Sequence, residues 1–246
     1  MDQESLKFKN SIFISLSFVI ILWFIKIVEF VLHYDFASFG IHPRHLSGMI
    51  GIVTGPLIHG DFAHLASNTL PLIILIIGIF YFYNKVALEV ILWIYFMTGL
   101  WVWIAARDAY HIGASGLVYG LVSFLFFSGI FRRDGPSLAV SLIVIFLYGG
   151  MFYGILPISE TISWESHILG AIAGIFCAFY FRVKTPLHQY DWQKEQEEEE
   201  DLQLPSGSSS INTTYHLYKN YTYSNTFNAD SNPESPNSEP DNEKII

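Results

Sequence analysis

Ser115 stands in the decapeptide His111-Ile112-Gly113-Ala114-Ser115-Gly116-Leu117-Val118-Tyr119-Gly120, where a glycine-rich turn opens an apolar stretch that closes on Arg132-Arg133. A hydroxyl at the mouth of a short hydrophobic helix is not what lipid selects; it is what a nucleophile requires. Serine attacks a carbonyl only when a base takes its proton, and His167, at the head of another apolar stretch, can be that base. No acidic residue is spaced to orient the imidazole, so the pair reads as a Ser-His dyad rather than a triad. Tyr119 lies one helical turn beyond Ser115 on the same face and is placed to pack against the His167 ring. A tetrahedral oxyanion needs preorganised donors. His64 and Asn68, also four apart, share a face and can supply them together with the Ser115 backbone N–H at the positive end of its helix. Gly113 permits the tight turn this demands.

These residues need elements to carry them. Apolar runs long enough to span a bilayer occur at about Ile12–Leu32, Leu65–Tyr83, Val86–Ala106, Ser115–Phe131, Leu138–Leu156 and His167–Phe181. The second, fourth and sixth all begin on one side, and the polar residues gather at those starts: His59, His64 and Asn68; Ser115; His167. From Ser115 to the charged end at Arg132 is roughly 25 Å at the α-helical rise. The hydrocarbon layer is about 30 Å thick, so Ser115 belongs in a recess below the surface, tolerated only around a water-accessible cavity. Gly116 and Gly120 follow Ser115 in a GxxxG pattern, and Gly170 and Gly174 follow His167 in another. Such small residues let two backbones approach closely, here in the same frame as the reactive pair.

Composition sets the class. Of 246 residues, 52% are hydrophobic and 14% charged, which describes a multi-pass, all-α membrane protein. The net charge of −9 resides wholly in residues 185–246, because residues 1–184 carry ten basic and ten acidic side chains. The expected organisation is a short cytoplasmic N-terminus (1–11), a six-helix core (12–183) and a disordered acidic cytoplasmic tail (184–246). Lys7, Lys9, Lys85, Arg132, Arg133, Arg182 and Lys184 fall on one side against Arg44 and Arg107 on the other. The positive-inside rule then places both termini in the cytoplasm and the site at the outer face. Trp101, Trp103 and Trp164 fall at the outer interface. Lys26 and Glu29, three apart in the first run, read as a structural pair facing the bundle rather than a functional one. Residues 33–57 read as an irregular outer loop. The sequons at Asn212 and Asn220 lie on the cytoplasmic side in this topology and are discounted. Cys177, the single cysteine, allows no intrachain disulfide.

At these positions the sequence resembles the rhomboid family of intramembrane serine proteases. The likeness rests on Gly113-Ala114-Ser115-Gly116 with Tyr119, on His167 with Gly170 and Gly174, and on His64 and Asn68 preceded by His59. It covers about residues 12–183. The resemblance implies a six-transmembrane-helix bundle in which Ser115 is the nucleophile and His167 the general base. His64 and Asn68 match the oxyanion positions, and His59 matches a nearby polar position. It also implies transmembrane protein substrates cut near the outer face of, most simply, the cell membrane, without cofactor, metal or nucleic acid. Helix five and its outer loop, Pro157–Ser166, would gate substrate entry. The first outer loop has Arg44 but lacks the Trp-Arg pair of many members.

Two competing readings remain. A relative without catalysis that binds membrane clients explains the fold and the glycines, but not a serine and a histidine at matched depth. A transporter or metal site built from His59, His64, His111 and His167 lacks a carboxylate or cysteine to complete it. His33, His42, His45 and His111 read as loop histidines, of which His111 can border the site. The oligomeric state is left open.

Overall fold

The computed structural model describes residues 3–133, 135–147, 151–158 and 162–182. The tail from 184 to 246, expected to be disordered, lies outside the described residues, as does part of the 157–166 segment. Six principal helices follow one another: α1 (Gln3–Leu32), α2 (Phe62–Phe82), α3 (Ala87–Ala105), α4 (Ser115–Arg132), α5 (Gly135–Leu147) and α6 (Trp164–Phe181). Among the described residues there is no β-strand, only an isolated antiparallel bridge between Ile41 and His111. Among the described residues, α1, α2, α3, α4 and α6 are long and apolar enough to cross a membrane.

The helix ends correct the sequence boundaries, each for a local reason. α1 is helical from Gln3 rather than beginning at the apolar run, with a Glu4–Lys7 ion pair at 2.7 Å in its first turns. Residues 3–11 are therefore helical and continuous with the first apolar run. α2 starts at Phe62 because the Asp61 carboxylate accepts the His64 backbone N–H at 2.7 Å, an N-cap that satisfies a donor the helix cannot. α4 stops where Arg133 turns left-handed (φ 55°). Of the fifth run the structure describes helix over Gly135–Leu147 and again over Met151–Gly154. Between α1 and α2 the chain forms a series of short helical turns, Phe36–Phe39 and Leu46–Leu57.

α4 is the central helix; most of its length, from Gly116 to Gly129, is buried. Leu72, Leu75 and Ile79 of α2, Val90 and Ile94 of α3, and Ala178 and Phe181 of α6 surround Leu121, Phe124 and Leu125 in one core. Large apolar side chains also cover the exterior, with Phe13 74% and Phe24 65% exposed. A surface of that kind suits lipid, not water.

Candidate active site

Three helix starts meet at one end of the bundle. α4 presents Ser115, α6 presents His167, and α2 with the turn before it presents His59, His64 and Asn68. Ser115, His167, His64, Asn68 and Tyr119 all line one open cavity of about 710 Å³, whose wall also includes Tyr110, Tyr153 and Ile162.

Ser115 Oγ and His167 Nε2 are 2.7 Å apart. His167 Nδ1 lies 2.7 Å from the Gly154 carbonyl oxygen. A carbonyl only accepts, so Nδ1 carries the hydrogen and Nε2 offers its lone pair to the Ser115 hydroxyl. That tautomer is the one a general base needs. Sequence reasoning paired these two side chains but did not name the group bonded to Nδ1. A main-chain carbonyl leaves no side-chain signature. The one trace is Gly154 itself: a Cβ there would strike the Tyr119 hydroxyl and stand 3.0 Å from His167 Nδ1. The Tyr119 and His167 rings are stacked, centroids 4.2 Å apart and 8° from parallel, as the helical spacing suggests.

The helices reach this proximity through glycine. A Cβ on Gly170 would fall on the Gly116 carbonyl oxygen, and one on Gly174 on the Gly120 carbonyl oxygen. Two GxxxG segments thus bring the α4 and α6 backbones into direct contact just below Ser115 and His167. Gly113 has φ +104°, and a Cβ there would lie 2.8 Å from His64 Nε2. The turn before the serine therefore needs glycine for its conformation and for His64 beside it.

His64 is half-buried and Asn68 buried; the Asn68 amide donates to the His64 carbonyl at 3.1 Å. Ser67 and Pro71 share their side of the cavity, and Pro71 lacks the N–H that would close on the Ser67 carbonyl. His59 precedes α2 rather than lying on it. It is 1% exposed, and its Nε2 accepts the Ala114 backbone N–H at 3.2 Å, so it braces the residue before Ser115. Burial pushes its pKa down to about 3, with His64 and Lys26 adding to the fall. Lys26 donates to the carbonyls of His59 and Gly60 at 2.9 and 2.8 Å and pairs with Glu29 at 2.8 Å. Glu29 also accepts the Phe36 N–H at 3.1 Å. The Lys26–Glu29 pair thus anchors the loop between α1 and α2 to α1.

His111 borders the cavity and is buried. Its Nε2 donates to the Arg107 carbonyl at 3.1 Å, and its Nδ1 lies 2.6 Å from the Ser163 hydroxyl. Burial lowers its pKa as well. With His59, His111 and His167 bonded in these ways, the four histidines considered for a metal site do not converge on one point. The only described group with metal-like spacing is His42, His45 and Asp108, in the loops before α2 and α4. Its imidazoles are stacked 3.9 Å apart and 7° from parallel. A metal binds imidazole in the ring plane at about 2 Å, so these rings cannot share an ion as they stand.

The sequence matches the Rhomboid domain family over residues 46–184. It is 33% identical over 178 residues to an uncharacterized protein of Mycobacterium tuberculosis (strain ATCC 25618 / H37Rv), covering 67% of this chain and 72% of that one. A relative in Mycobacterium leprae, also uncharacterized, is 28% identical over 173 residues, covering 67% and 68%.

Proposed function

This chain belongs to the rhomboid family of intramembrane serine proteases and their inactive relatives, and from that premise we propose that it is an active endopeptidase. It is an integral membrane protein. In our reading it cleaves transmembrane segments of other membrane proteins near the outer face of the cell membrane, with both termini cytoplasmic. The observation that carries the endopeptidase assignment is the 2.7 Å contact between Ser115 Oγ and a His167 ring whose other nitrogen is held by the Gly154 carbonyl, at the wall of an open cavity.

The chemistry follows from that contact. Ser115 Oγ attacks the scissile carbonyl carbon as its proton passes to His167 Nε2. The Ser115 backbone N–H, His64 and Asn68 stabilise the oxyanion that forms. The C–N bond then breaks, and the imidazolium returns the proton to the departing amine. Water, deprotonated in turn by His167, hydrolyses the acyl-enzyme and restores the serine. Tyr119 keeps the imidazole plane fixed throughout.

The competing reading is a client-binding relative without catalysis. A fluorophosphonate probe separates the two without knowledge of the substrate. Full-length protein in detergent is expected to label, Ser115→Ala is expected not to label and not to cleave a transmembrane substrate, and EDTA is expected to leave cleavage intact. Equal labelling of wild type and Ser115→Ala, or of neither, would sink the assignment.

A further inference from the structure

The first turn of α6 is tied to the loop in front of Ser115 by polar groups that the dyad does not use. Arg107 Nη2 donates to the Ile162 carbonyl at 2.8 Å, and its Nη1 stands 3.3 Å from Glu165 Oε2. The Arg107 backbone N–H reaches Glu165 Oε1 at 3.4 Å. Glu165 is 6% exposed, a carboxylate buried beside a cation.

A second strand of bonds runs parallel to the first. The Arg107 carbonyl fixes the hydrogen of His111 on Nε2, so neutral His111 accepts from the Ser163 hydroxyl at Nδ1. Ser163 Oγ in turn lies 2.5 Å from Ser166 Oγ. Ser163 is the N-cap of α6, yet its side chain caps no helix N–H. A residue type that ordinarily satisfies its own helix is here spent on a bond to another segment.

We propose that Arg107 and Glu165, with His111 and Ser163, are positioning residues that hold His167 at hydrogen-bonding distance from Ser115. The assignment rests on the protease reading. The glycine contacts at Gly170 and Gly174 fix the distance between α4 and α6 below the site, and beside His167 a Cβ on Gly116 would stand 3.1 Å from the Ser166 carbonyl oxygen. At this first turn α6 is held as well by the clamp, which joins the residues two and four before His167 to the residues eight and four before Ser115. A misplacement of about 1 Å is enough to cost on the order of a hundredfold in rate, so small freedom at that end matters.

The test uses full-length protein in detergent, with fluorophosphonate labelling rate, kcat, KM and thermal midpoint as readouts. Glu165→Gln and Arg107→Ala are each expected to lower kcat and the labelling rate about tenfold, with KM within twofold. The double variant should be no slower than either single, because both remove the same contact. Arg107→Lys should recover part of the loss. Should Glu165→Gln fail to fold, Ser163→Ala decides, with an expected threefold fall at an unchanged midpoint. Asp108→Asn, on the same loop but paired with His42 at 2.8 Å, should stay within twofold. A variant series labelling at the wild-type rate overturns the clamp, as does an equal loss in Asp108→Asn or a loss that only tracks the midpoint. Wild type inert to the probe would overturn the protease reading and the clamp with it.

Discussion

The two sides of α4 are held by opposite means. Toward α6 the contact is main chain on main chain: Gly170 and Gly174 leave no room for a Cβ against the Gly116 and Gly120 carbonyls. Toward α2 the contact is side chain on side chain. Even at Gly78 a Cβ would meet Leu125 and Val140 at an ordinary 3.5 and 3.4 Å. Backbone contact has no rotamers to yield, whereas packed side chains shift by tenths of an ångström. Ser115 and His167 therefore sit across the stiff contact. The candidate oxyanion donors sit across the compliant one and need anchors of their own, which Asp61, Lys26 and His59 supply.

Exchanging glycine for alanine on each side breaks the comparison most directly. Gly170→Ala drives a methyl onto a carbonyl and should cost more than about 3 kcal/mol or prevent folding. Gly78→Ala should be neutral or gain up to about 1 kcal/mol from helix propensity. Thermal midpoints in detergent read both. Similar midpoints for the two variants would mean that α4 and α6 do not touch through their backbones.

Removing an anchor on the compliant side comes next. Lys26→Met leaves the buried Glu29 carboxylate and the carbonyls of His59 and Gly60 without their cation. Breaking one partner of a buried pair costs about 3 kcal/mol. The double variant Lys26→Met/Glu29→Gln should recover part of that loss, since the stranded charge is gone. If Lys26→Met is as stable as wild type, the loop is held by something other than α1.

What could be read from the sequence divides along the same line. The α4–α6 side was legible because its devices are residue types at fixed intervals: serine, tyrosine four on, and glycines four apart behind both Ser115 and His167. The α2 side was only half legible. His64 and Asn68 declare themselves by spacing, but the Asp61 cap that starts the helix earlier is one ordinary acid in a loop. The Lys26 bonds to residues 59 and 60 join positions more than thirty apart in sequence, and no periodicity reports them. The Gly154 carbonyl that orients His167 is main chain and belongs to no motif. The Arg107–Glu165 clamp links two short loops whose approach depends on the whole bundle.

Acid offers a finer test of the anchors. His59 and His111 are buried, and burial lowers the pKa of each from 6.5, to about 3 for His59. The unfolded chain binds these protons below about pH 6.5, while the folded chain refuses them. Between those limits the unfolded state holds more protons, so stability falls as pH falls, by up to about 1.4 kcal/mol per pH unit for each histidine. Asp61 works in a lower window: the His64 N–H holds its pKa below 3.8, so its contribution is lost only at more acidic pH. A midpoint measured from pH 6.5 down to 4.5 therefore isolates the histidines. His59→Gln, which keeps an acceptor for the Ala114 N–H but cannot titrate, should flatten part of that slope. An unchanged slope in His59→Gln would mean that His59 is protonated in the fold. A protonated ring carries hydrogen on both nitrogens and cannot accept the Ala114 N–H in the turn before Ser115.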